Sequence, residues 1–284
     1  MKEAIKKSRV LIEALPYIKN FFEKVIVIKY GGAAVDEKGI EKGILEDIMF
    51  MNYAGMRPIL VHGGGPLISR MMKKEGVEPK FINGRRVTDA RSMHIIDKAL
   101  RAINRNIVMS LKELGSEAIG CSGKDNGLIK VKKFRGVPDL GFVGEITSVD
   151  TIVMKRLVEH NIIPVIYPLG LGRDGNTYNV NADDVASEIA MAMKAEKFVL
   201  LTNVKGIMRD KKDPLTLYNT LKAGEVSRLI KRKVIDSGMI PKAMACVNAI
   251  KGGVKKAHIL DASIPHALLL EMFTDKGIGT EIVR

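Results

Sequence analysis

The sequence predicts an α/β fold with a largely parallel sheet covered by helices on both faces. Short apolar runs rich in β-branched residues recur at 25–32 (VIVIKYGG), 58–66 (PILVHGGGP), 117–123 (EAIGCSG), 162–170 (IIPVIYPLG), 198–206 (FVLLTNVKG) and 256–261 (KAHILD). Helix-like amphipathic segments separate most of them. Strands buried on both faces are apolar throughout rather than alternating, and that pattern belongs to parallel sheets. Two of the runs end in glycines, Gly31-Gly32 and Gly63-Gly64-Gly65, where a strand gives way to a turn.

Residues 2–22 begin the chain as a helix, with Ile5, Ile12, Leu15, Ile18 and Phe22 at three-to-four spacing. Pro16 is expected to kink or break it, because proline removes a backbone donor and crowds the preceding turn. Strands follow at the first two apolar runs, the second leading into a helix rich in Met and Lys. Between 124 and 149 the pattern alternates and turns as an antiparallel hairpin does. GLGRDG at 170–175 satisfies GxGxxG after a strand, yet the following NTYNVNADD opens no glycine-packed helix, so the match is read as coincidental. NVNADDVASEIA then opens an amphipathic helix, and SGMIPKAMACV starts another at Pro241. With no linker, repeat or low-complexity tract, the chain reads as one unit in two halves, the second starting near residue 175.

Composition removes several function classes. The 284 residues carry 46 Lys+Arg against 32 Asp+Glu, a formal net charge of +14, with 27% charged and 46% apolar residues, an ordinary globular balance. No apolar stretch approaches the roughly 18 residues of a membrane span. Glu3, Arg9 and Glu13 interrupt what would have to be a secretory core. Cys121 and Cys246 make neither a disulfide framework nor a zinc pattern, so a reducing cytoplasm is expected. Aromatics are only 5%, tryptophan is absent and the lysines are dispersed, so no stacking platform for nucleic acid is expected. A positive field that attracts small anions, or simple solubility, accounts for the charge equally well. The P-loop pattern GxxxxGK[ST] and the HRD and DFG elements of protein kinases are missing.

The remaining candidates cluster at the glycine-ended strands. Glycine amides at a strand end can approach an anion closely, and the carboxyl edge of an open α/β sheet is where ligands bind. Lys29, just before Gly31, suits a phosphate, or simply snorkels to the sheet edge. Lys242 follows Pro241 at the positive end of a helix. Asp183 opens a helix and is either a site carboxylate or a plain cap. Arg86, next to Arg85, is a surface residue or a carboxylate clamp. His62 reads as a structural imidazole.

Eight segments, VIKYGG, LVHGGGP, GRRVTD, GCSGKD, DLGFVGEI, NVNADDVA, LLTNVKGI and SGMIPK, resemble in order and spacing the amino acid kinase family, over essentially the whole chain. The likeness is greatest to its members that phosphorylate the γ-carboxylate of N-acetyl-L-glutamate in arginine biosynthesis. The resemblance implies a three-layer αβα sandwich around a mainly parallel central sheet. It implies that residues 23–174 bind the acyl amino acid and dimerise, and that residues 175–284 bind ATP with Mg²⁺. It gives Lys29, Lys242 and Asp183 the catalytic roles, Gly31 and Gly32 the phosphate, and Gly64, Gly65, Arg86 and Asn179 the acyl amino acid. Asn203, where Asp is commoner, and Ser237, where Gly is usual, depart from the family's pattern. Residues 1–22 and the segment 256–282 further resemble the parts that mark L-arginine-inhibited members. In those, N-terminal helices interlace three dimers into a homohexamer, and by position His258, Glu271 and Gly277 fall at the arginine effector site. On its own pattern Glu271 is equally a solvated helix residue.

Overall fold

The six apolar runs become six strands of one eight-stranded sheet. The computed structural model describes residues 1–31, 41–210, 213–236, 238–274 and 277–284, so Gly32 and Ser237 lie outside the described residues. The chain starts with α1 (Lys2–Phe21), β1 (Val25–Tyr30), α2 (Lys42–Tyr53), β2 (Arg57–His62) and α3 (Gly65–Lys74). A short hairpin, β3 (Phe81–Ile82) and β4 (Arg85–Arg86), precedes α4 (Ala90–Glu113) and β5 (Ala118–Ser122). Next come β6 (Ile129–Lys133), β7 (Gly144–Val149), α5 (Ile152–Glu159), β8 (Ile163–Tyr167), β9 (Leu169–Gly172) and β10 (Thr177–Asn179). The rest is α6 (Ala182–Ala192), β11 (Lys197–Thr202), β12 (Thr220–Lys222), α7 (Ala223–Lys231), α8 (Ile240–Lys251), β13 (Lys256–Asp261), α9 (Ala267–Phe273) and β14 (Thr280–Val283).

The sheet runs β12-β14-β13-β11-β1-β2-β8-β5, parallel throughout except where β14 meets β13. The mainly parallel architecture expected from the apolar runs is therefore present. The segment 124–149 supplies the antiparallel pair β6–β7, and GLGRDG lies in the β9–β10 hairpin, where it opens no helix. Of the two effects expected of Pro16, the break is absent: α1 continues through it. The ring costs Ile12 its helical donor, but both residues are solvent-exposed, where a freed carbonyl costs little.

Strand alternation builds two cores, one on each side of the sheet. Ile26, Ile28 and Tyr30 of β1 pack on the face covered by α2, α3, α4 and α9. Val27 packs on the opposite face with Val185 and Ile189 of α6 and Ala243 and Val247 of α8. Each large side chain so buried stabilises the fold by about 1.5–3 kcal/mol relative to exposure. Lys29 has the parity of Val27 and therefore points towards α6 and α8. β1 lies between β2 and β11, where the strand order reverses, and such a switch point leaves a crevice at the carboxyl ends. Among the described residues, no helix is long and apolar enough to cross a membrane.

Candidate active site

The β1 carboxyl end carries Lys29, whose ammonium lies 2.7 Å from Asp183 Oδ1 with both side chains buried. A Cβ at position 31 would collide with that ammonium, so glycine is what lets Lys29 fold over its own strand end. Asp183 sits in the first turn of α6, but the cap of that helix is Asn181, whose side-chain oxygen accepts from Asp183 N at 2.7 Å. With capping done by Asn181, Asp183 faces a second ammonium, Lys242 Nζ at 3.9 Å from Oδ2. Burial pushes the Asp183 carboxyl up, but Lys29 and Lys242 outweigh it and hold the group below the usual carboxylate range. It stays ionised at neutral pH.

One cavity of about 230 Å³ collects Lys29, Gly31, Gly64, Gly65, Arg86, Asn179 and Asp183. The three glycines after β2 differ in what they do. A Cβ on Gly64 would strike Ile103 at 2.7 Å, so this residue lets α3 close on α4, whereas Gly65 faces open space. The start of α3 therefore borders the cavity with no side chain at Gly65 in the way, and helix N-termini are places where anions bind. Arg86 donates to Gly65 O at 3.2 Å and to Ser69 Oγ at 2.9 Å, and its guanidinium stacks 4.5 Å from the centroid of Phe81. Burial lowers its pKa to about 10, so it keeps its charge at neutral pH. Asn179 donates to Thr88 Oγ1 at 3.2 Å, which fixes its amide at the cavity wall. His62 is a buried support: Nδ1 lies 2.9 Å from Gly63 O, Asn104 Nδ2 is 3.1 Å from Nε2, and burial lowers the pKa to about 4.

Lys242 lines a second cavity of about 460 Å³ with Asn203, Val204, Ile207, Met208 and Met239. Asp183 thus stands between a polar, glycine-rich cavity and a mostly apolar one. Among the described residues, no group of three or more His, Cys, Asp or Glu gathers as a metal cage.

The regulatory candidates sit elsewhere. A cavity of about 760 Å³ at the amino edge of β11 and β13 is lined by Tyr17 and Phe21 of α1, Lys197, Glu271, Gly277 and Glu281. Glu271 is buried, so it is not a solvated helix residue. Its Oε1 lies 2.9 Å from His258 Nδ1, and Ile278 N donates to Oε2 at 3.2 Å. Burial would raise the Glu271 carboxyl, but His258 and Lys197 outweigh it and hold the group below its ordinary value. His258 backs Glu271 and does not itself line the cavity. Lys197, absent from the sequence-derived candidates, is buried with its ammonium 5.0 Å from the centroid of Phe21. Nothing in its local pattern marks it, since Glu196-Lys197 reads as solvated charge before a strand.

The profile of the amino acid kinase family matches residues 24–261. The acetylglutamate kinase of Desulforamulus reducens is 46% identical over 285 residues, which cover 100% of this chain and 99% of the relative. N-acetylglutamate synthase from Neisseria gonorrhoeae, complexed with coenzyme A and N-acetyl-glutamate, superposes with a TM-score of 0.86 at 26% identity, over 98% of this chain and 63% of the synthase. The same synthase complexed with coenzyme A and L-arginine superposes with a TM-score of 0.81 at 25% identity, over 97% of this chain and 65% of its own. This chain therefore spans just under two thirds of the synthase's length.

Proposed function

The chain belongs to the amino acid kinase family, and on that premise we propose that it transfers the γ-phosphoryl group of ATP to the γ-carboxylate of N-acetyl-L-glutamate, giving N-acetyl-L-glutamyl 5-phosphate and ADP in arginine biosynthesis. The observation that carries this reading is Asp183, ionised between Lys29 and Lys242 at the junction of two cavities. The acyl amino acid occupies the glycine-rich cavity, with Arg86 on its α-carboxylate and Asn179 at its amide. The nucleotide occupies the apolar one, so that residues 23–174 supply most of the acceptor site and residues 175–284 most of the donor site.

The acceptor carboxylate has an ordinary pKa near 4.3 and is already a nucleophile at neutral pH, so the reaction needs no general base. Its oxygen attacks the γ-phosphorus, the bond from that phosphorus to the β–γ bridging oxygen breaks, and no proton moves. The obstacle is bringing two anions together and offsetting charge on the transferring group. Lys29 neutralises the γ-phosphoryl side and Lys242 the leaving side. Asp183 keeps the two ammonium groups close without mutual repulsion. Amides at Gly31, Gly32, Gly64 and Gly65 hold oxygens with fixed dipoles. Mg²⁺ would enter as part of the MgATP substrate and would supply positive charge at the phosphates, while Asp183 is committed to Lys29 and Lys242.

A coupled ADP-release assay across acyl amino acids, free amino acids, carbamate and nucleoside monophosphates tests this. N-acetyl-L-glutamate is expected to give the highest kcat/KM, with a profile free of any limb between about pH 6 and 8, because His62 titrates far lower. Preference for a nucleoside monophosphate, or an acid limb near pH 6.5, would remove the assignment.

The 760 Å³ cavity supports a finer reading, feedback inhibition by L-arginine. Glu271 offers a charged acceptor to a guanidinium, Lys197 an ammonium to a carboxylate, and the related synthase binds L-arginine. α1 contributes Tyr17 and Phe21 to this cavity while Val10, Leu11, Ile12 and Leu15 stay exposed. Such a stripe is covered when α1 helices of neighbouring dimers interlace into a homohexamer. Sedimentation of the full chain should give a hexamer that L-arginine inhibits, and removal of residues 1–22 should give an insensitive dimer. Dimers in both cases, with no response to arginine, would refute the regulatory reading alone.

A further inference from the structure

Arg85 and Arg86 are neighbours in β4, and strand alternation sends them to opposite sides. Arg86 enters the acyl amino acid cavity. Arg85 also lies on the wall of that cavity, but it pairs with α6, with Nη2 3.2 Å from Asp184 Oδ2, and its guanidinium lies 4.6 Å from the ring centroid of Phe134, just beyond β6. On its other side, the hairpin that carries both arginines is held through Arg86, whose guanidinium bonds Gly65 O and Ser69 Oγ of α3. β3 and β4 are two residues each and form a sheet of their own. Their Asn83-Gly84 tip, with positive φ at both residues, stands beside Pro241, the residue before Lys242.

Asp184 in turn needs a cation. Burial and the adjacent Asp183 raise its carboxyl, Arg85 opposes them, and Glu188, one turn further along α6, is raised by burial and by Asp184. Three carboxylates on two turns of one helix repel, and Arg85 arrives from another element to offset them.

We propose that Arg85 is a positioning residue whose ion pair with Asp184 latches the β3–β4 hairpin onto α6, holding Arg86 and Phe81 over the bound acyl amino acid. The latch ties the acceptor site to the helix that carries Asp183. This inference rests on the acetylglutamate kinase reading for its substrate, though not for the latch itself.

Arg85→Met, Asp184→Asn, the double variant and Arg85→Lys test it, with hydrogen–deuterium exchange of residues 80–87 in the ligand-free protein and steady-state kinetics on N-acetyl-L-glutamate at saturating ATP. A partly exposed pair predicts that each single variant raises KM for the acyl amino acid about two- to fivefold, far more than it lowers kcat. The double variant should be no worse than either single, since both remove one interaction. Added salt should raise KM in every form, and by a larger factor in the wild type and in Arg85→Lys than in Arg85→Met. Hairpin amides should exchange faster in both single variants. Additive effects in the double variant, or unchanged exchange in both singles, would overturn the latch. If the wild type phosphorylates no acyl amino acid, the functional reading fails and the exchange measurement still decides the latch.

Discussion

Lys29→Ala is expected to lower kcat by about two to three orders of magnitude, a loss of roughly 3–4 kcal/mol of transition-state stabilisation comparable to removing one preorganised oxyanion donor. The side chain is buried, its ammonium is fixed over Gly31, and Lys242 lies on the far side of Asp183, so nothing nearby substitutes for it. The variant should also change how stability depends on pH. In the wild type, Asp183 is held below its ordinary value, so the ion pairs add stability above the unfolded carboxylate pKa of about 4, lost as pH falls through the folded value. Without Lys29, only Lys242 at 3.9 Å opposes burial, and the folded pKa of Asp183 rises above the unfolded one. The sign then reverses: the contribution is full below the unfolded value and is lost as pH climbs from there through the raised folded value. ADP release and melting temperature between about pH 3 and 8 check both statements. Near-wild-type turnover would take Lys29 out of the catalytic machinery.

Arg86→Ala should raise KM for N-acetyl-L-glutamate by about 30-fold or more, at least ~2 kcal/mol, because truncating a buried, charge-paired hydrogen-bond donor typically costs that much. KM for ATP should stay near its original value. Arg86 is poised for this by Gly65 O, Ser69 Oγ and the Phe81 ring, which orient the guanidinium without neutralising it. Arg86→Lys should recover little, since an ammonium offers no planar fork to a carboxylate. A defect confined to ATP would place Arg86 at the nucleotide instead.

The residues of the site were legible in unequal degree. Lys29, Gly31 and the triple glycine stood out because a strand end followed by glycine is a local pattern, readable from a handful of neighbours. Ser69 and Phe81 gave no such signal. They matter only because the β3–β4 hairpin folds back over α3, bringing a hydroxyl and a ring to the Arg86 guanidinium. Lys197 was hidden for the same reason, since its partners Glu271 and Phe21 come from α9 and α1.

Sequence alone determined six strands of the main sheet, their parallel character and the glycine-ended edge where the cavity with Lys29, Arg86 and Asp183 opens, because apolar periodicity and backbone freedom are properties of short stretches. Only the tertiary structure decided what Asp183 does. By pattern it was a cap or a site carboxylate; Asn181 takes the capping role, and the sheet order β11-β1-β2 sets Lys29 against α6 and α8. It also gave Arg85 and Arg86 different partners, Asp184 for one and Gly65 and Ser69 for the other, and let α1 run through Pro16 in open solvent. For Asp183 and the two arginines the physical reason is the same. Spacing along the chain sets which face a side chain takes, but the partner waiting on that face is set by crossovers and register between distant segments, where burial and Coulomb attraction act.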